Sequence, residues 1–145
     1  MGTRTRCRVM LALAVVVGLV PHAAQAQDKY KVRLTTVPMD GGMRANVAGS
    51  GSATASLTGA KLTINGTFDG LRSPATEAQV LLGRARGVRG AAIGQLTVTK
   101  ATQGMVGGTI DLTPQQVDGL RHGQLYVQIA SEKAPEGNLW GWILK

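Results

Sequence analysis

At 145 residues the chain is one domain's worth, with sixteen basic residues against eight acidic ones, five aromatics and a lone cysteine. One thiol excludes a disulfide framework, and a 43% hydrophobic composition with 17% charged residues excludes a disordered chain. The formal net charge of +8 invites a nucleic-acid reading, which the distribution of those charges weakens.

The first segment reads as a targeting sequence. Arg4, Arg6 and Arg8 make a basic start, and "LALAVVVGLV" (Leu11 to Val20) is an apolar run too short to span a bilayer. Pro21 breaks it, and Ala24-Gln25-Ala26 matches a small-x-small cleavage site. Residues 1–26 are therefore expected to be a cleaved secretory signal, and residues 27–145 a single mature domain in the periplasm or outside the cell. Cleavage removes three basic residues and no acidic one, leaving +5. It also removes Cys7 and His22, so His122 is the one remaining histidine. No second long apolar run follows. Neither a transmembrane segment nor a nucleic-acid partner is expected of the mature chain.

Short runs of alternating apolar and polar residues then predict antiparallel strands. In "YKVRLTTV", Tyr30, Val32 and Leu34 share a face opposite Lys31, Arg33 and Thr35. The turn-rich "MDGGMRANVAGSGS" leads to a strand around Ala53–Leu57. "KLTINGTFDG" puts Leu62, Ile64 and Phe68 inside, with Lys61, Thr63, Asn65, Thr67 and Asp69 outside. "EAQVLLG", "IGQLTVTKA", "GGTIDLT", "LYVQIAS" and "NLWGWIL" follow. One helix interrupts them: Thr113 and Gln116 form a capping box, Pro114 suits the first helical position, and Gly123 stops it. Val117 and Leu120 are its inward residues. Eight Gly-punctuated strands with one short crossover helix predict an all-β Greek-key sandwich.

The ordered patterns "LTTVP", "GSGSATASLTGAKLTINGTFDGL", "ATEAQVLLG", "IDLTPQQVDGLRHGQLYVQIAS" and "PEGNLWGWI" resemble a chordin-type (CHRD) domain, from about Arg33 to Leu144. The resemblance implies an immunoglobulin-like or superoxide-dismutase-like β-sandwich of a kind found in many exported proteins, and it implies no enzyme activity. Members of that family commonly carry a His-x-His pair on the central strand and a third histidine after a "YVN" strand. Here those positions hold Gln79, Leu81 and Ala130. Leucine and alanine offer no donor atom, so no metal site is expected there and no cofactor is expected at all. His122, at the end of the helix, is expected to be solvated or to cap it.

Strand parity turns Gln79, Leu81, Tyr126, Gln128, Ala130, Trp140 and Trp142 away from the core together. The expected partner-binding surface is an exposed face built on Leu81, Tyr126, Trp140 and Trp142. Its alternative is that the N-terminal stretch or the segment around 40–50 folds over the indoles and makes them packing. Beside it, "GRARGVRG" carries Arg84, Arg86 and Arg89, an expected anion-binding loop for phosphate, sulfate or carboxylate groups. Arg72 or Arg121 would widen that loop's reach.

The partner expected first is an envelope or extracellular protein, with an anionic polysaccharide or lipid surface next. Met39 and Met43, four residues apart, support an alternative copper-handling role through thioether sulfur, and a structural envelope component without a ligand is a third reading. Catalysis is not expected. Asp111, Asp118, Glu132 and Glu136 make no acid–base pair, and the chain has neither a Gly-x-Ser-x-Gly elbow nor a phosphate-binding loop.

Overall fold

A computed structural model describes residues 26–145; the expected signal segment lies outside the described residues except for Ala26. Eight strands and one α-helix follow in chain order: β1 Gln27–Thr36, β2 Ser50–Thr58, β3 Lys61–Asp69, β4 Ala75–Gly83, β5 Gly90–Val98, β6 Gly104–Asp111, α1 Pro114–Arg121, β7 Leu125–Ser131 and β8 Ala134–Leu144. All pairings are antiparallel, and the order is β1-β2-β3-β6-β5-β4-β7-β8 with β8 returning to β1. Strand β7 returns beside β4, so β7-β4-β5-β6 forms the Greek key.

The described residues are all-β with one short α-helix, but the expected sandwich is corrected to a closed barrel. Two short seams close it. Strand β1 meets β8 at Lys31↔Leu144, Val32↔Ile143, Thr35↔Trp140 and Thr36↔Leu139. Strand β5 meets β6 only at Thr97↔Gly107 and Val98↔Val106. Closure gives every strand a neighbour on both sides, although most of β5 extends past its short pairing with β6.

The core is made by one parity set of each strand. Val32, Leu34, Ala55, Leu62, Ile64, Phe68, Val80, Val127, Ile129, Leu139 and Ile143 are buried together. Burying each large aliphatic chain contributes roughly 1.5–3 kcal/mol, which carries a domain without disulfides. The helix closes one barrel end with Leu120 buried and Val117 packed against the same core. Its N-terminus has the expected reciprocal cap: Gln116 N donates to Thr113 Oγ1 (3.3 Å) and Thr113 N to Gln116 Oε1 (3.0 Å). At its C-terminus the exposed His122 ring, through Nδ1, lies 2.7 Å from the Asp118 carbonyl, which is the capping role expected of it. Gly123 then takes φ +70°, the left-handed conformation that ends a helix.

Candidate functional site

The outward side chains of β4, β7 and β8 form one ladder. Gln79 lies opposite Gln128, and Leu81 opposite Tyr126; Tyr126 lies opposite Trp142, and Gln128 opposite Trp140. Parity therefore places all four expected partner-binding residues on the outer face. What it did not fix is their exposure.

Leu81 is 7% exposed and Tyr126 is fully buried. The expectation of an open Leu81/Tyr126/Trp140/Trp142 face is corrected: Trp140 and Trp142 are only partly exposed, and the other two are covered. The reason is geometric. The Tyr126 ring sits 4.5 Å from that of Trp142 and 5.7 Å from that of Trp140, and the two indoles meet edge to face at 5.6 Å. Such edge and tilted contacts add about 0.5–1.5 kcal/mol each beyond the area buried. Two large rings laid on a third hide it, even on the outside of a barrel.

Two segments complete the cover. Residues 37–48 cross the start of β8. Val37 N donates to the Asn138 carbonyl (3.0 Å), and Ala48 N donates to Asn138 Oδ1 (3.2 Å). Asn138 Nδ2 donates in turn to Ser131 Oγ (2.9 Å), so this fully buried amide uses both ends. Val37, Val47 and Ala134 form a second small core there, with Met43 and Trp140 packed on it. Met43 is thus a packing residue, while Met39 is exposed. The two thioethers of the copper reading thus stand in different surroundings, Met43 half-buried and Met39 exposed.

The second cover is the arginine loop between β4 and β5. Gly90 N donates to Tyr126 Oη (3.0 Å), Gln124 Nε2 to the Arg84 carbonyl (3.3 Å), and Arg89 Nη1 to the Glu136 carbonyl (3.0 Å). The Arg89 guanidinium carbon also stands 5.9 Å from the Trp140 ring centroid, within cation–π range. Arg84 and Arg86 point to solvent, and Val88 at the tip is 47% exposed. Arg89 therefore pins the loop, whereas Arg84 and Arg86 remain free to meet a ligand. Arg121 does not join them: it lies close enough to Asp28 and Lys145 to act on both electrostatically.

The former histidine positions are accounted for in the same place. Gln79 is half-buried, and Leu81, opposite Tyr126, and Ala130 are buried. Among the described residues no group of three or more His, Cys, Asp or Glu side chains gathers. No helix among them is long and apolar enough to cross a membrane.

Cover by the segment around 40–50 was the alternative the sequence offered; what sequence reasoning missed is Asn138, the polar residue in an apolar strand that fastens it. An amide at that position was the available signal, since a buried amide needs partners on both of its ends. Searches of curated proteins and of solved structures give no match. The family model described as the CHRD domain matches residues 30–143, so the chain belongs to the CHRD domain family.

Proposed function

We propose that this is an exported, non-enzymatic interaction module that docks an acidic protein partner on the Arg84/Arg86 loop and the open edges of Trp140 and Trp142. Family membership supports an extracellular binding role. The observation that carries the surface is the loop itself. The loop that carries the three arginines is fastened by hydrogen bonds from Gly90, Gln124 and Arg89, with Arg89 on Trp140 and Arg84 and Arg86 exposed. A cationic loop fixed in advance loses little conformational freedom when it binds. Partly exposed indoles beside arginine are the side chains that most often dominate protein interfaces. Residues 1–26 act as the export signal in this reading, and residues 27–145 as the functional chain.

The test uses the tagged mature chain to capture envelope proteins, comparing it with Arg84→Gln/Arg86→Gln. Arg89 is spared because it holds the loop. The variant is expected to keep its melting temperature and to lose most of the captured protein, roughly tenfold for two interface arginines. The same capture should fall with added salt. Equal capture by both chains would remove the loop from the interface.

A further inference from the structure

The opposite wall of the barrel carries a different surface. On β1, Lys29, Lys31 and Arg33 point outward and are exposed. Alternate residues on a strand lie about 7 Å apart, so the three cations form a straight row. Among the described residues none of them is in an ion pair.

The strand register extends each cation into a rung. Lys29 lies opposite Ser56, Lys31 opposite Thr54, and Arg33 opposite Ser52. Those residues face Thr63, Asn65 and Thr67 of β3 in turn. Every rung thus runs from a cation to two neutral hydrogen-bonding side chains. The small β2 residues sink the middle of the wall below the long β1 side chains. Three adjoining depressions result, of about 400, 510 and 680 Å³, sharing Lys31, Arg33, Asn65 and Thr67 along their length. Asp69, at the far rim, is the one carboxylate lining them, and Met105 stands at that same end.

We propose that this groove binds an acidic polysaccharide, its carboxylate or sulfate groups on the β1 cations and its hydroxyls on the β2 and β3 side chains. The chemistry selects this class. Hydroxyl and amide groups can donate and accept, as a sugar ring requires, while a row of cations takes a periodic polyanion. No aromatic side chain lines the middle of the groove to stack on bases. Its exposed large apolar side chain, Met105, stands alone at one end, short of the cluster of anchors on which a protein partner or an interfacial lipid contact depends. The site is separate from the arginine loop and independent of the function proposed for it.

The experiment measures binding of fluorescein-labelled alginate to the mature chain by anisotropy, with uncharged dextran, single-stranded DNA and anionic phospholipid vesicles alongside. Lys29→Gln/Lys31→Gln/Arg33→Gln is compared with Arg84→Gln/Arg86→Gln/Lys133→Gln, a loop variant that removes the same number of exposed charges away from the groove and spares Arg89. The β1 variant is expected to weaken alginate binding roughly tenfold or more, and the loop variant less than about threefold. Ser52→Ala/Thr54→Val keeps all the charge and should weaken it about threefold or more, since hydrogen bonds to the sugar are lost. Circular dichroism and melting temperature confirm that each surface variant is folded. Equal losses in the two charge variants, unchanged binding by the hydroxyl-free variant, or DNA or vesicles bound as tightly as alginate would each overturn the assignment.

Discussion

The two outer walls of the barrel obey the same alternation and end in opposite states. On β1–β2–β3 the outward set is Lys, Arg, Ser, Thr and Asn with Gln27 and Asp69 at the ends, and the wall stays open. On β4–β7–β8 the outward set includes Leu81, Tyr126, Ala130, Trp140 and Trp142, and the chain covers it with residues 37–48 and the arginine loop. Parity decides which side of a strand a residue leaves from. Whether water reaches it is decided by segments distant in sequence, and an apolar outer wall recruits them because leaving it bare costs hydrophobic free energy. One barrel thus shows a polar wall available to ligands and an apolar wall that mostly serves as a second core.

The comparison breaks most readily at the indoles. If Trp140 and Trp142 are packing, Trp140→Ala/Trp142→Ala should lower stability by about 4 kcal/mol, since half-buried aromatic rings sit below the full core penalty. A domain of ordinary stability would then approach its unfolding limit. Urea denaturation measures it, and a loss under about 1 kcal/mol would return the indoles to open surface. Next in size is Asn138→Ala, expected to cost about 2 kcal/mol because Ala48 N and Ser131 Oγ lose a shared partner in a buried place. Amide exchange at Ala48 should quicken in that variant. Unchanged exchange there would mean that residues 37–48 are held by Val37, Val47 and Met43 alone.

Much of this was legible in the sequence. Alternation in "KLTINGTFDG" gave the inward Leu62, Ile64 and Phe68, and Thr113 with Gln116 gave the helix start, because both signals act over a few residues. Closure of the barrel was not legible. It depends on β8 reaching β1 and β5 reaching β6, pairings between strands that no local pattern encodes. The burial of Tyr126 was hidden for a similar reason: its cover comes from Trp140 and Trp142 on β8 and from Gly90 on the arginine loop. The glycines of that loop held a clue. A Cβ on Gly83 or Gly90 would run into the carbonyls of Val88 or Leu82, so the loop folds tightly back on its own strands. The ladder of Lys29, Lys31 and Arg33 with hydroxyl residues emerged only once the register joined three strands.

The smallest effect concerns the seam that joins the two walls. Lys145 Nζ lies 2.8 Å from Asp28 Oδ1, tying the end of β8 to the start of β1. The hydrogen bond and charge of Lys145 hold the Asp28 carboxyl below its ordinary pKa, and Asp28 raises that of Lys145 in the same way. A depressed carboxylate pKa stabilises the folded chain above the unfolded value and loses that contribution as pH falls through the folded one. A raised ammonium pKa stabilises below the unfolded value and loses its contribution as pH rises through the folded one. The pair therefore contributes between roughly pH 4 and pH 10 and fades at both extremes. Both groups are exposed, so the effect is small and screened by salt. Asp28→Asn should differ from the parent chain in urea midpoint at neutral pH and converge with it in acid. A difference that persists below the carboxylate range would assign the stabilisation to packing of Lys145 over the Tyr30 ring, 5.5 Å away, and would leave the seam held by backbone pairing without help from charge.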